Sequence, residues 1–343
     1  MKTLKVLPIV LASTLWILSC GSKPADSSGT GTADPSVPGQ GFLSAGQPVT
    51  GVQPQGMQAA DTSWIKVKHL DLAYASKSPT QKLDLYLPNE GSGPFPLIIE
   101  FHPGGFMVGG KSMGIGPMLE GLKRGYAVAS VGYRLSGEAP FPAAVNDAKA
   151  AVKFLRASAV KYNLDPRRFA AWGSSAGGNL AALVAVSGDD PSLVDSSLGN
   201  AGVSDSVRAA VDWYGPLDFS AMDEQFKALG TSGSMGPTSS PTSPESKYLG
   251  KTVGTPEARP LAEKANPGTY ISADDPPMFI QHGTADRNVP ITQSRDFAAR
   301  LSAEIGADKV IFQALEGAGH GGTAFEAPEN VARILDFLDR HLK

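Results

Sequence analysis

The sequence predicts an α/β fold in which helices cover both faces of a mostly parallel sheet. The chain has 343 residues, of which 41% are hydrophobic and 18% charged, so it can bury a large core. Short apolar runs of strand length alternate along the chain with longer stretches of helical periodicity. Such an alternation is typical of parallel sheets whose strands are connected by helices.

Apolar or alternating runs are the candidate strands, and longer stretches between them are the candidate helices. The predicted strands lie at residues 65–67, 83–87, 96–101, 126–131, 169–172, 209–213, 278–281 and 310–312. The predicted helices lie at about residues 115–124, 142–162, 176–187, 293–304 and 326–342. Together these elements predict one domain over residues 62–343.

Residues 219–268 interrupt the alternation of strands and helices. The segment contains a polar run of Gly, Ser, Thr and Pro at residues 230–244. Polar loops of this length are unusual inside a compact domain and are often functional. We therefore expect a short cap-like insert between two strands, near the edge where ligands bind in open α/β sheets.

The N-terminal part of the chain has the pattern of an export signal followed by a tether. Residues 1–19 combine a basic start with an apolar stretch too short to span a bilayer, which predicts a signal peptide. The residues before and including Cys20, Ile-Leu-Ser-Cys, resemble the lipobox of bacterial lipoproteins, which implies cleavage before Cys20 and lipidation of its sulfur. Residues 20–61 are rich in Gly, Ser, Pro, Thr and Ala, which predicts a flexible tether.

These features predict an exported lipoprotein, attached by its lipid anchor to the outer membrane or the cell surface. There are two alternatives. The first is an ordinary secretory signal with an incidental cysteine, and the second is a short anchor helix. Cys20 is the single cysteine, which excludes an internal disulfide. The net charge of −3 and the absence of a basic run give no indication of a nucleic-acid partner.

A serine in the motif G-x-S-x-G is the candidate nucleophile. Residues 173–177 match the motif around Ser175, and residues 110–114 match it around Ser112. The motif marks a nucleophile when a buried strand precedes it and a helix follows it. Ser175 stands between such a strand and such a helix, whereas Ser112 lies in a Gly-rich stretch with no strand directly before it. Ser175 is therefore the predicted nucleophile.

The serine needs a base to take its proton and an acid to orient that base. Where a serine occupies a strand-to-helix turn of this kind, the chain order is serine, acid, histidine. Of the five histidines, His320 fits best because it lies in a Gly-rich turn after a predicted strand. Asp286 follows the preceding strand and is the predicted acid. Asp212 and Asp218 are the alternative acids.

A Gly-rich turn after the third predicted strand is the candidate oxyanion hole. Phe-His-Pro-Gly-Gly-Phe at residues 101–106 places two glycines where backbone N–H groups can approach a substrate. Proline has no N–H group, so the expected donors are Gly104 and Gly105, joined by Ala176 directly after the nucleophile.

These motifs together resemble the serine esterases of the α/β-hydrolase fold. The loop at residues 102–105 is similar to the H-G-G-G loop of esterases and lipases of the hormone-sensitive-lipase-like group. The stretches Asp-Trp-Tyr-Gly-Pro-Leu-Asp-Phe at 212–219 and Asp-Pro-Pro-Met at 275–278 resemble the bacterial feruloyl and acetylxylan esterase-like group.

The resemblance implies an eight-stranded, mostly parallel sheet and a carboxylic ester hydrolase that needs neither cofactor nor metal. It also implies a short acyl or aryl-acyl ester as substrate, such as acetyl or feruloyl groups on plant polysaccharide. Phe106, Trp213 and Tyr214 are the residues expected to line the substrate pocket. A serine peptidase of the prolyl-oligopeptidase type, or a non-catalytic binding protein with the same fold, is the alternative.

Overall fold

One eight-stranded sheet forms the centre of the computed structural model, which describes residues 60–343. The strands are β1 Val67–Ala73, β2 Lys82–Leu87, β3 Phe95–Phe101, β4 Ala127–Val131, β5 Leu164–Ser174, β6 Ala209–Trp213, β7 Met278–Gly283 and β8 Val310–Leu315. Their spatial order is β1-β2-β4-β3-β5-β6-β7-β8. The pairs β1–β2 and β2–β4 are antiparallel, and every other pair is parallel. The predicted mostly parallel sheet is confirmed.

Helices cover both faces of this sheet. They are α1 Gly116–Lys123, α2 Ala143–Ala157, α3 Ala176–Val186, α4 Met222–Ala228, α5 Pro244–Leu249, α6 Arg259–Ala265, α7 Thr292–Ile305, α8 Thr323–Glu326 and α9 Pro328–Leu342. Short 3-10 turns lie at Pro191–Leu193, Ser196–Leu198 and Pro267–Thr269.

Two hydrophobic cores lie between the sheet and its helices. Alternate residues of β3 point into opposite cores, because successive side chains of a strand face opposite sides. Leu97 and Ile99 belong to the same core as residues of α2, α3 and α7, whereas Ile98 belongs to the core that contains residues of α1 and α9. All of β3 is buried, which explains why its sequence is a continuous apolar run rather than an alternating one.

Several elements differ in extent from the sequence-based prediction. The first strand begins at Val67 and continues to Ala73 instead of covering residues 65–67. The helix predicted at 326–342 is two helices, α8 and α9, since Pro328 cannot donate a hydrogen bond to the preceding turn and begins a new helix instead.

The segment 219–268 is not the unbroken polar loop that its composition predicts, because α4, α5 and α6 lie within it. Helix α5 begins where the Ser243 side chain accepts a hydrogen bond from the N–H of Ser246, and it ends at Gly250 in the left-handed conformation. Tyr248 of this helix is 1% exposed and packs in the core. The insert is therefore held to the body of the domain by buried side chains.

The predicted signal peptide, Cys20 and residues 20–59 of the predicted tether lie outside the described residues. Within residues 60–343, no helix combines the length and the apolar character that crossing a membrane requires.

Candidate active site

Ser175 occupies a sharp turn between β5 and α3. Its backbone has a φ of 55°, which is rare for a residue with a side chain, and its N–H donates a hydrogen bond of 2.8 Å to the carbonyl of Trp213. Close packing explains the glycine two positions later, since a Cβ atom on Gly177 would lie 1.8 Å from the carbonyl oxygen of Phe101. The turn presents the Ser175 hydroxyl at the carboxyl edge of the sheet, before the N-terminus of α3.

The structure brings Ser175, His320 and Asp286 together at this edge. The Ser175 Oγ lies 2.8 Å from Nε2 of His320. On the other side of the ring, Nδ1 of His320 lies 2.7 Å from Oδ2 of Asp286. With the proton on Nδ1, that nitrogen donates to the carboxylate and Nε2 is free to accept from the serine hydroxyl. The imidazole can therefore act as a base toward Ser175.

The Asp286 carboxylate has a full set of donors around it. Its side chain is 0% exposed. Its Oδ1 accepts hydrogen bonds from the N–H groups of Asn288 at 2.8 Å and Val289 at 3.0 Å. Burial by itself raises the pKa of this carboxyl, but the side chains of His282 and His320 outweigh burial and hold its pKa well below the usual range. Asp286 is therefore ionised at neutral pH.

His282 lies directly behind Asp286 and is fully buried. Its Nδ1 lies 2.7 Å from the hydroxyl of Ser294, and its Nε2 lies 3.0 Å from the carbonyl oxygen of Val289 and 3.3 Å from Oδ2 of Asp286. A proton on Nε2 satisfies both oxygens and leaves Nδ1 to accept from Ser294. A position of His282 beside the acid was not predicted from the sequence. The sequence signal for this contact was that His282 stands four residues before Asp286.

The alternative candidates from the sequence lie elsewhere. Asp212 is fully buried and accepts a hydrogen bond of 2.9 Å from the N–H of Gly215. Burial raises the pKa of Asp212 to about 7. The carboxylate of Asp218 accepts from the N–H of Ser220, and Ser112 is exposed in the loop before α1. Asp286 is the carboxylate that contacts His320.

The loop after β3 carries the candidate oxyanion hole. Gly104 and Gly105 both have positive φ, at 127° and 60°. Neither N–H donates a hydrogen bond to another backbone group among the described residues. Ala176 is the first residue of α3, so its N–H has no acceptor within the helix. Backbone donors of the predicted set are thus available near Ser175.

His102 and Tyr133 support this loop from below. Their rings stack with centroids 4.1 Å apart, and the Tyr133 hydroxyl donates a hydrogen bond of 2.8 Å to the carbonyl of His102. The Nδ1 of His102 lies 2.7 Å from the carbonyl oxygen of Pro103. Burial lowers the pKa of His102 to about 4, so the ring is neutral at neutral pH. His102 is therefore a structural residue of the loop.

A pocket of about 350 Å³ opens above Ser175 and His320. Trp213 and Tyr214 are among the residues that line it, although both are largely buried. The prediction for Phe106 is wrong. This residue does not line the pocket, because its ring is 1% exposed and stacks on Tyr248 with centroids 3.8 Å apart. Most of the other large side chains in the lining are apolar, and Ser174, Asn288 and Glu326 add polar groups. The apolar ones are Pro103, Met107, Val108, Met113, Pro117, Met235 and Pro244.

No group of His, Cys, Asp and Glu side chains within residues 60–343 is arranged to hold a metal ion.

Comparison with known proteins identifies the family. A family model described as BD-FAE matches residues 83–301, which is more than half of the chain. The chain belongs to the BD-FAE family. Esterase LipQ of Mycobacterium tuberculosis is 30% identical to this BD-FAE chain over 270 residues, which cover 78% of this chain and 58% of LipQ. The chain thus spans little more than half the length of this relative.

Solved structures of esterases share the fold. A truncated form of a carbohydrate esterase from gut microbiota is 29% identical with a TM-score of 0.70, covering 83% of this chain and 99% of that one. A bifunctional GH43-CE protein of Bacteroides eggerthii is 30% identical with a TM-score of 0.69, covering 80% of this chain and 35% of that one. The α/β-hydrolase fold predicted from the sequence is confirmed.

Proposed function

We propose that this BD-FAE-family chain hydrolyses carboxylic esters through an acyl-enzyme on Ser175. The observation that carries the proposal is the hydrogen-bonded series from Ser175 through His320 to Asp286, with distances of 2.8 and 2.7 Å, beneath an open pocket. The esterase names of its relatives and structural neighbours support the same reaction class.

The first half of the reaction forms the acyl-enzyme. His320 takes the hydroxyl proton on Nε2 while the Ser175 oxygen attacks the ester carbonyl carbon. The ionised Asp286 stabilises the resulting imidazolium and keeps the other ring proton on Nδ1. The imidazolium then gives its proton to the departing alcohol oxygen, and the C–O bond breaks. In the second half of the reaction, His320 takes a proton from a water molecule while the water oxygen attacks the acyl-enzyme carbonyl. The imidazolium then returns the proton to the Ser175 oxygen, and the carboxylic acid is released.

The N–H groups of Gly104, Gly105 and Ala176 are the proposed donors to the negative oxygen of the tetrahedral intermediate. Such donors are effective because they are already oriented toward the charge that develops. The N-terminal end of α3 adds a favourable dipole at the same place.

The pocket favours a short acyl group. Its volume of about 350 Å³ is at the small end of ligand sites, and its walls are mostly apolar. Similarity to a structure described as a carbohydrate esterase supports acetyl or aryl-acyl esters of sugars, including those of plant polysaccharide. A cell-envelope location through lipidated Cys20 would suit such a substrate and is proposed together with it.

Covalent labelling tests the reaction class directly. A fluorophosphonate should label the full chain, Ser175→Ala should abolish both labelling and hydrolysis of p-nitrophenyl acetate, and Ser112→Ala should change neither. A folded wild-type protein that takes no label would overturn the proposal in favour of a binding protein. A panel of p-nitrophenyl acetate, methyl ferulate, acetylated xylan and a peptide substrate would then separate the sugar esterase from the peptidase alternative.

A further inference from the structure

A second cavity adjoins the pocket of Ser175. It has a volume of about 560 Å³ and lies between α1 and the start of α9. Pro117 and Glu326 line both the pocket and this cavity, so the two are neighbours that share a wall. We call the second cavity the α1–α9 groove. Its lining is Gly116, Pro117, Glu120, Lys123, Arg124, Glu326, Pro328, Val331, Ala332 and Leu335.

The chemistry of the proposed reaction tells which part of an ester points toward the groove. His320 must deliver its proton to the alcohol oxygen, so the alcohol lies on the His320 side of the serine. Gly321, Gly322 and Glu326 follow His320 along the chain and line the pocket there. An alcohol too large for the pocket would therefore extend past Glu326, which also lines the α1–α9 groove.

The walls of the groove suit a sugar better than a hydrocarbon chain. The carboxylates of Glu120 and Glu326 accept hydrogen bonds, and Lys123 and Arg124 donate them. An alkyl chain would desolvate these charged groups without pairing them, which is costly. Sugar hydroxyls can pair with both kinds of group, while the apolar side chains in the lining can pack against the C–H faces of a sugar ring.

Glu326 has the fewest partners of the charged residues that line the groove. Lys123 is 2.7 Å from Glu120, and Arg124 is bound to Asp336. Glu326 is exposed, and its carboxylate has no hydrogen-bond donor among residues 60–343. Its pKa is raised by partial burial alone. A carboxylate with open acceptor positions at the junction of two cavities is available to a ligand that donates hydroxyl protons.

We propose that the α1–α9 groove is the alcohol subsite, that it takes a sugar residue of the ester, and that Glu326 accepts hydrogen bonds from the hydroxyls of that sugar. The assignment rests on the proposed esterase function. It names a binding site for the alcohol part, on the opposite side of the serine from the acyl group.

Two substrates with the same acyl group test the subsite. Acetylated xylobiose and ethyl acetate form the same acetyl-enzyme, and the intrinsic reactivity of each ester is the same for every variant, so a change in the ratio of their kcat/KM values on mutation reports how the alcohol is recognised. Wild type should have a ratio well above one. Glu326→Gln weakens the acceptor, and Ala332→Trp fills the groove. Each should lower the ratio about tenfold, mainly through KM of the sugar ester, because Glu326→Gln weakens a charged hydrogen bond and Ala332→Trp excludes the sugar from the groove.

The control is Glu329→Gln, since Glu329 is exposed on α9 but lines neither cavity. Its ratio should equal that of the wild type. A ratio within twofold of wild type for both groove variants, or no preference of the wild type for the sugar ester, would overturn the subsite. If wild type hydrolyses neither ester, or if Ser175→Ala still hydrolyses them, the proposed function fails instead.

Discussion

Gly104→Ala should disable the proposed oxyanion hole while leaving Ser175 and His320 in place. A Cβ atom on Gly104 would lie 1.9 Å from the carbonyl oxygen of Val108, whereas real Cβ contacts stay beyond 3.0 Å. The loop must therefore move by about 1.1 Å, the difference between those two distances. The φ of 127° is also one that alanine rarely adopts, which adds strain to the same segment.

A displacement of this size is large compared with the tolerance of a hydrogen bond. Donor–acceptor distances lie at about 2.7–3.2 Å, so a shift of roughly 1 Å removes the donor from range. Loss of one oxyanion donor lowers kcat by about 10²–10³. The intermediate carries the charge and the ground-state ester does not, so kcat should fall much more than KM rises.

Gly110→Ala is the matched control in the same loop. A Cβ atom there has no neighbour within 4 Å, and the φ of Gly110 is not in the positive region. Steady-state kinetics on p-nitrophenyl acetate, with thermal unfolding and fluorophosphonate labelling to verify the fold, compare the two variants. A folded Gly104→Ala enzyme that keeps kcat within about threefold of Gly110→Ala would refute this role of the loop, since donor loss costs far more.

Three other changes have defined outcomes. The folded-state pKa of Asp286 is depressed, so its charge stabilises the fold above the unfolded pKa of about 4, and this stabilisation disappears as the pH falls. The free energy of unfolding of wild type should therefore exceed that of Asp286→Asn at pH 6, and the difference should shrink toward pH 3; a constant difference in urea titrations would contradict the ionised state. His282→Leu removes a donor toward Asp286 and should lower kcat roughly tenfold with little change in KM. His282→Gln should recover part of the lost kcat. If both variants change only the stability, and by the same amount, His282 has no positioning role. Cys20→Ser should move the protein from the membrane to the soluble fraction with unchanged specific activity, and persistent membrane attachment would rule out the lipid anchor.

Much of the fold follows from patterns that are local in the sequence. Continuous apolar runs such as residues 96–101 identify buried strands, and helical stretches between them imply parallel connections. Boundaries were less accurate where proline or capping residues control them, as in the division of the C-terminal helix at Pro328. The insert was predicted as a loop because its Gly, Ser and Pro content conceals three short helices, whose packing depends on residues such as Tyr248.

The motif, its flanking elements and the chain order predicted Ser175, Asp286 and His320, with Asp212 and Asp218 as alternative acids. Such a prediction is possible because the ends of successive parallel strands meet at one edge of the sheet and carry their following residues there. Tertiary structure decided what lies around them. It placed His282 behind Asp286, turned Phe106 away from the pocket onto Tyr248, and set Glu326 between two cavities. Local periodicity specifies which side of a strand or helix a residue occupies. Which distant side chain it meets depends on how the elements pack, and only the folded chain determines that.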